Sequence, residues 1–151
     1  MSELRKGRHV VFNLHAHLVF VPKCRKNVFD LGAIEELQKI FRIVCADFET
    51  DLKEFNGERD HVHLLVTYPP KISLAALVNS LKGVSSRRLR QSRPDIADKY
   101  WKGGLWSPSY FAGSVGGAPL EVLKAYIQNQ KTPDRASSPA LRQGSPRRGK
   151  R

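Results

Sequence analysis

Two stretches of the chain alternate between apolar residues and other residues with a period of two. In VVFNLHAHLVFV, which begins at Val10, every second side chain is apolar and the others include two histidines. In DHVHLLV, residues 60–66, His61 and His63 alternate with apolar residues. Side chains of successive strand residues point to opposite faces, so this period predicts two strands. Each strand is predicted to place one apolar face against a core and to present histidines on the other.

The remaining patterns predict two main helices and two further strands. Apolar residues at helical spacing predict a helix over residues 33–50 and another that starts after Ser73, a residue type that caps helices. Residues 52–55 are predicted to be a strand that turns at Asn56-Gly57, because both residue types tolerate positive φ. Residues 105–112 predict the last strand, and Pro108 favours the edge of the sheet.

The order strand, helix, strand, strand, helix, strand predicts an α+β, ferredoxin-like βαββαβ fold with an antiparallel sheet. In that topology both helices cover one face of the sheet, so the histidine pairs are expected on the open face. A C-terminal helix is predicted to begin at Pro119. Residues 1–132 are expected to form one folded domain. Residues 133–151, rich in Pro, Ser, Gly and Arg, are expected to be a basic, disordered tail.

The charge of the chain points to a polyanionic partner. Its formal net charge is +12, and five of these excess charges lie in the tail. Such a chain attracts nucleic acid. No apolar run reaches the length of about 20 residues that a membrane helix needs, which predicts no membrane association. The N-terminus MSELRKGRHV lacks the apolar core of a signal peptide, so a cytoplasmic protein is expected, and its charge favours association with the nucleoid. Cys24 and Cys45 form no metal-binding motif, so we expect two reduced thiols.

His61 and His63 have three interpretations on residue type alone. Two imidazoles on one face of a strand suit a metal ion, a catalytic acid–base pair, or ordinary polar positions on a wetted surface. Position 65 is leucine, which disfavours a histidine-triad hydrolase. His15 and His17 lie on the first strand in the same pattern, and the sequence assigns no role to them.

Tyr126 and Gln130 are four residues apart on the predicted last helix and therefore share a helical face. The common use of such a tyrosine is to pack its ring while its hydroxyl stays solvated. The sharper interpretation is a nucleophilic phenol with an amide oxygen one turn later as a metal ligand. An amide oxygen and two imidazoles would leave positions on a hard cation for phosphate oxygens.

The sequence resembles the single-tyrosine transposases of small bacterial insertion sequences, which belong to the HUH endonuclease superfamily. His61-Val62-His63 matches the histidine–hydrophobe–histidine motif that names the superfamily. The segments HLVFVPKCRKNVF, LWSPSYFAGSVGG and YIQNQ resemble the family in the same order. The resemblance extends from about His9 to Lys131.

This resemblance implies an enzyme that nicks and rejoins single-stranded DNA near hairpins. By similarity, Tyr126 is the catalytic nucleophile that forms a 5′-phosphotyrosine, and His61, His63 and Gln130 hold Mg²⁺ or Mn²⁺. The family also implies a homodimer with composite active sites, in which the tyrosine helix of one subunit meets the histidines of the other, and single-stranded DNA with hairpin ends as the partner.

Several further residues are predicted to contact DNA. The candidates are basic residues near the open face and the helix ends, namely Lys23, Arg25, Lys26, Lys82, Arg87 and Arg88. For each of them, a solvated surface charge is the competing interpretation. Trp106, Tyr110 and Phe111 are aromatic candidates for base stacking, although core packing is expected for at least two of them.

Two other functions stay open at the level of sequence. One is a transposase relative that acts on chromosomal palindromic repeats with the same chemistry. The other is a non-catalytic nucleic-acid-binding module on a ferredoxin-like sheet.

Overall fold

The structure, a computed structural model, describes residues 4–23, 27–100, 104–114 and 127–128. Ile127 and Gln128 have helical backbone. The other elements follow one another in chain order as β1 (Arg5–Lys6), β2 (Val11–Phe12), β3 (His15–Phe20), α1 (Leu31–Asp47), β4 (Asp51–Glu58), β5 (His61–Thr67), α2 (Leu74–Ser92), α3 (Pro94–Lys99) and β6 (Phe111–Ser114).

The four-stranded sheet confirms the predicted ferredoxin-like topology. Its strand order is β4-β5-β3-β6, and every neighbouring pair is antiparallel. The strand before α1 and the strand before α2 are therefore the central neighbours, as that fold requires. β6 lies at one edge and β4 at the other.

The first alternating stretch is divided between two sheets, which differs from the single strand predicted over residues 10–21. Val11–Phe12 pairs with Arg5–Lys6 in a separate two-stranded hairpin, and only His15–Phe20 enters the main sheet. The alternation continues through Asn13 and Leu14, but the backbone partner changes there. Periodicity reports which face a side chain takes and does not report which strand pairs with it.

The core lies between the sheet and the two long helices. Leu18 and Phe20 of β3 and Leu64 of β5 are fully buried, because they project from the face that the helices cover. Leu37 and Leu77 face them from α1 and α2 and are equally buried. Burial of a leucine or phenylalanine side chain contributes about 1.5–3 kcal/mol, so this layer fixes the orientation of both central strands. The histidines of those strands consequently lie on the opposite face.

Side-chain caps begin both long helices. The Ser73 hydroxyl accepts a hydrogen bond from the Ala76 amide at 3.2 Å, which confirms the predicted start of α2. The Asp30 carboxylate accepts one from the Ala33 amide at 2.9 Å and caps α1. Arg93 then binds Asp30 with two nitrogens, at 2.8 and 2.9 Å, and ties the start of α1 to the end of α2.

The predicted turn at Asn56-Gly57 is wrong. β4 runs on to Glu58, and the chain turns at Arg59 and Asp60 instead. Gly57 is needed for space rather than for turning, because a Cβ there would lie 2.6 Å from Cγ2 of Ile34 in α1. Here the Ile34 side chain packs directly on the strand backbone, and a close approach of this kind is another common reason for glycine in a strand.

The last strand of the sheet lies later than predicted. Residues 105–112 were expected to form it, but β6 begins at Phe111 and includes Gly113. Trp106 makes only an isolated bridge to Pro22, and its indole nitrogen donates to Ser85 Oγ at 2.9 Å inside the core. The Lys23 amide donates to the Leu105 carbonyl at 2.8 Å and the Ser107 amide to the Val21 carbonyl at 2.7 Å, so residues 105–107 still run beside the continuation of β3. The pairing is interrupted at residues 108–110, and Pro108 therefore lies outside the strand.

Two further predictions concern membranes and thiols. In the part of the chain that the structure describes, no helix is long and apolar enough to cross a membrane. Cys45 is buried in the core, and burial raises the pKa of its thiol to about 12. It therefore remains a protonated, unreactive side chain at neutral pH. Cys24, the helix from Pro119 and the tail 133–151 fall outside the described residues, Ile127 and Gln128 excepted.

Candidate active site on the histidine face

Four histidines project from the sheet face opposite the helices, which we call the histidine face. His61 and His63 belong to β5, and His15 and His17 belong to the neighbouring strand β3. All four are partly exposed, whereas the residues between them are buried. This confirms the prediction that both pairs share one face. Val19 lies opposite His63 in the register and is itself 1% exposed, so the face is partly apolar.

His17 and His63 are in direct contact across the two central strands. Nδ1 of His17 lies 2.9 Å from Nε2 of His63, and the two rings are stacked with their centroids 5.0 Å apart. One ring must donate the shared proton, since two lone pairs at that distance would repel. The pair is half-buried, so water competes weakly for either nitrogen.

The pKa of His63 is lowered from its ordinary value. Burial is the largest cause, because it disfavours the charged imidazolium, and the neighbouring His17 acts in the same direction. Glu54 on β4 partly opposes this by attracting a proton to the ring. The balance keeps His63 neutral at physiological pH, and the neutral imidazole is the form that binds metal ions.

His61 is oriented by the residue that precedes it. Its Nδ1 lies 2.9 Å from Oδ1 of Asp60, and only 20% and 14% of the two side chains are exposed. A carboxylate can only accept, so Nδ1 of His61 is the donor. When neutral, the ring then carries its lone pair on Nε2. A histidine held in this way by a carboxylate is the usual arrangement behind a metal ligand.

His15 has a structural network of its own. Its Nε2 contacts Oδ1 of Asn13, and its Nδ1 contacts the Thr67 hydroxyl at 3.0 Å. Both ring nitrogens are occupied, and Thr67 is 1% exposed. His15 therefore joins β3 to the end of β5, a role that the sequence did not indicate.

The pair His61–His63 fits part of a divalent metal site. Two neutral imidazoles on one face are suitable ligands for first-row metals and can complement oxygen donors on Mg²⁺ or Mn²⁺. Among residues 4–23, 27–100, 104–114 and 127–128, however, no group of three or more His, Cys, Asp or Glu side chains is arranged to hold a metal ion. Additional donors would therefore have to come from elsewhere. Tyr126 and Gln130 lie outside the described residues.

The residues predicted to contact DNA lie in different parts of the structure. Lys23 is exposed on the loop after β3, at the end of the sheet where β5 begins with His61. Arg87 and Arg88 are exposed on α2, which lies in the helical layer on the other side of the sheet. These three remain predictions. Arg25 and Lys26 lie outside the described residues.

Lys82 has an internal role that competes with DNA contact. Its ammonium donates to the carbonyl oxygens of Ser107 at 2.8 Å, Pro108 at 3.2 Å and Ser109 at 3.4 Å, and it lies 5.6 Å from the ring centre of Tyr110. An ammonium has three protons, so all of its donors are engaged. These hydrogen bonds hold the loop that leads into β6 against α2.

The aromatic candidates serve mainly in packing. Trp106 is 6% exposed within the core, and Tyr110 packs against Phe20. Core packing was expected for at least two of the three candidates, and these two confirm it. Phe111 lies on β6 opposite Val19, and is therefore placed on the histidine face.

Sequence reasoning missed His17 and Asp60 as partners of the histidine pair. Asp60 could have been found, because it directly precedes His61 and a carboxylate beside a metal-binding histidine has a known orienting effect. The contact of His17 with His63 depends on the register between β3 and β5, which the sequence does not encode locally.

Comparison with known proteins places this geometry in a family. The family described as IS200-like transposases matches residues 10–130. The ISDra2 transposase TnpA of Deinococcus radiodurans is 33% identical over 128 residues, which are 85% of this chain and 91% of that protein. The transposase of insertion sequence element IS200 from Salmonella typhimurium is 29% identical over 135 residues, or 89% of this chain and 88% of its own length.

Two solved structures resemble this fold. A candidate transposase from Deinococcus radiodurans R1 superposes with a TM-score of 0.77 at 32% identity, covering 83% of this chain and 97% of the other. A REP-associated tyrosine transposase bound to a REP hairpin superposes with a TM-score of 0.52 at 12% identity, covering 85% and 70%. The second likeness concerns the fold alone.

Proposed function

The chain belongs to the IS200-like transposase family, and from this membership we propose that it nicks and rejoins single-stranded DNA near hairpins through a 5′-phosphotyrosine. Tyr126 is the nucleophile in this proposal, and His61, His63 and Gln130 hold Mg²⁺ or Mn²⁺. The observation that carries the proposal is the position of His61 and His63. They lie side by side on the exposed face of a central strand, and Asp60 orients the first of them.

The chemistry needs help because a tyrosine hydroxyl has a pKa near 10 and is a weak nucleophile at neutral pH. A bound divalent cation would polarise the phosphate and stabilise the charge that develops on it. The Tyr126 oxygen attacks phosphorus, the bond from phosphorus to the 3′ oxygen breaks, and a free 3′-hydroxyl leaves. Rejoining reverses these steps when a 3′-hydroxyl attacks the phosphotyrosine, so no ATP is required.

The same membership also supports a proposal for the substrate and the assembly. The net charge of +12 favours a polyanion, and the REP-associated relative was solved on a hairpin. We therefore propose DNA hairpins flanked by single strands as the substrate. A homodimer with composite active sites is part of the proposal, since the histidine pair needs donors from a further segment.

A nicking assay tests the nucleophile. The protein is incubated with labelled single-stranded hairpin DNA and Mg²⁺ or Mn²⁺, and a covalent protein–DNA band is expected on a denaturing gel. Tyr126→Phe should abolish the band, while Tyr110→Phe should keep it, because the Tyr110 ring packs on the core through its faces and edges. Covalent product from Tyr126→Phe would show that another residue attacks. No product from the wild-type protein with either metal would favour a binding module.

A second assay separates the roles of the histidines. His61→Ala should bind hairpin DNA with nearly wild-type affinity and lose cleavage, because the imidazole would act on the reacting phosphate. His15→Ala is the comparison variant, since His15 belongs to the structural network with Asn13 and Thr67. Parallel loss of binding and cleavage in His61→Ala would indicate that His61 is structural.

A further inference from the structure

The N-terminal hairpin, which we call the N-terminal arm (residues 5–12), borders a cleft away from the histidine pair. The Arg5 guanidinium donates to the carbonyl oxygens of Thr67 and Glu49, both at 2.9 Å, and lies 5.0 Å from the ring centre of Phe12. Thr67 ends β5 and Glu49 follows α1, so one side chain ties the arm to both elements. The arm is thus a fixed part of the domain.

A cleft of about 340 Å³ separates the N-terminal arm from the turn at residues 69–71. Its volume is within the range of sites that hold small ligands. Apolar and basic side chains both line it, together with one carboxylate. The apolar lining residues are Val10, Phe12, Pro69 and Pro70, the basic ones are Arg5, Lys6, Arg8, His9 and Lys71, and the acidic one is Glu49.

The cations of this cleft are only partly neutralised. Lys71 pairs with Glu49 at 2.9 Å, and Arg5 is engaged as described. Lys6 and Arg8 are exposed and form no ion pair within the part of the chain that the structure describes. Val10 is 41% exposed beside them, although most valines of this domain are buried.

Exposed apolar surface beside unneutralised cations matches the chemistry of a nucleotide. The faces of a base are apolar and stack on flat side chains, while its phosphate is an anion that releases counterions on binding a basic side chain. The arm is also anchored to the strand that carries the histidine pair, through the bond from Arg5 to Thr67. Thr67 is four residues from His63 on β5, or about 13 Å along the strand.

We infer that the N-terminal arm and the turn at residues 69–71 form a second nucleotide-binding cleft for single-stranded DNA. An unpaired base packs against Val10, Phe12 and the two prolines, and neighbouring phosphates contact Lys6 and Arg8. The cleft holds the strand a few nucleotides from the histidine pair and so sets which phosphate reaches it. This inference rests on the proposed function, since it needs a single-stranded substrate.

The first test measures binding without cleavage. Fluorescence anisotropy of a hairpin with single-stranded flanks is recorded in EDTA over a series of salt concentrations. Lys6→Gln/Arg8→Gln removes two phosphate contacts, so the slope of log K against log salt should fall in magnitude by about 1.4. The matched control is Lys39→Gln/Arg42→Gln, which removes the same charge from exposed positions on α1 in the helical layer. Its slope should stay close to that of the wild type.

The second test asks whether a base enters the cleft. Each unpaired nucleotide of the flank is replaced in turn by an abasic residue. One position should weaken wild-type binding about fivefold or more, as expected for a lost stacking contact. That position should lose its effect in Val10→Asp, which places an anion beside the apolar wall. Thermal unfolding checks that every variant folds, which the exposed positions of Lys6, Arg8 and Val10 favour.

The outcomes separate this inference from the proposed function. Equal salt slopes for the two double variants, or an abasic scan without a sensitive position, would overturn the cleft even if wild-type protein cleaves DNA. A wild-type protein that binds single-stranded hairpin DNA no better than duplex DNA, and cleaves neither, would overturn the proposed function itself.

Discussion

Replacing Asp60 with asparagine is the sharpest perturbation of the candidate metal site that leaves both histidines in place. The Asp60 carboxylate accepts from His61 Nδ1 at 2.9 Å, and only 14% of its side chain is exposed. The carboxylate fixes the proton on Nδ1 and increases the basicity of Nε2, the nitrogen that would face the metal. In Asp60→Asn the amide oxygen can still accept this proton, but without the negative charge.

The size of the effect follows from the change in hydrogen-bond strength. Hydrogen bonds to charged groups contribute about 1.5–3 kcal/mol and those between neutral groups about 0.5–1.5 kcal/mol. Asp60→Asn should therefore weaken the bond that orients His61, and with it the free energy of metal binding, by about 1–1.5 kcal/mol. One factor of ten in affinity corresponds to about 1.4 kcal/mol. We therefore expect the Kd for Mn²⁺ to rise about tenfold, at the lower end of the range for residues that orient metal ligands.

Isothermal titration calorimetry with Mn²⁺ on DNA-free protein measures this Kd, and electron paramagnetic resonance of free Mn²⁺ gives an independent value. Glu58→Gln is the matched control. Glu58 lies opposite His61 in the register, so this substitution removes the same charge close to the same histidine. It should change the Kd by less than about threefold, since Glu58 is exposed and solvent screens its charge. If both variants weaken Mn²⁺ equally, Asp60 acts only through bulk electrostatics and the orienting hydrogen bond is refuted.

Three further predictions concern stability. Gly57→Ala should lower the free energy of unfolding in urea by about 1–3 kcal/mol, because its Cβ would press on Ile34, and Ile34→Ala should recover part of the loss; additive effects would contradict this. His63 has a lowered folded pKa, so the unfolded chain takes up more protons below about pH 6.5 and stability falls on acidification. His63→Asn should flatten that fall in metal-free urea titrations, and an unchanged pH profile would refute the assignment. Arg93 lowers the pKa of Asp30 in the folded protein. The ion pair between them therefore stabilises the fold above about pH 3.8, and this contribution is lost in stronger acid. Arg93→Gln should therefore cost at most about 1 kcal/mol at neutral pH, because Asp30 is 62% exposed, and should show a smaller loss on acidification; equal acid sensitivity would exclude this ion pair as the cause.

The sheet was predictable because its central strands carry an apolar set on one face only. The alternation around Leu18 and Leu64 requires one buried side, and the helical stripes supply the layer that covers it. Where the prediction failed, a distant contact determined the local structure. Gly57 is explained by Ile34 of α1, and the interruption before β6 coincides with the carbonyl oxygens of residues 107–109 that Lys82 of α2 binds. Neither partner is visible from the local residue pattern.

For the candidate site, the sequence predicts the face on which the histidines lie but not their contacts. A shared face for His61 and His63 follows from the two-residue period of a strand, and its exposure follows from the fold. The contact with His17 could not be predicted, because a shift of two residues between β3 and β5 would keep every histidine on the same face and give His63 a different neighbour. Register is a property of two strands and their packing, so periodicity places each histidine on a face without identifying its partner.

The ring nitrogens of His61 and His63 have different partners in this structure. His61 is held at Nδ1 by Asp60, which leaves Nε2 for the proposed metal, whereas Nε2 of His63 is in contact with His17. Coordination of the proposed metal at His63 Nε2 would therefore exchange one hydrogen bond for one metal bond. The net contribution of such a hydrogen bond is about 1 kcal/mol, which is small beside the free energy of a metal site. Since burial and His17 also lower the pKa of His63, the stacked ring is neutral at physiological pH. In the proposed metal site, His17 would hold His63 in position and would supply a partner that a cation could displace at low cost.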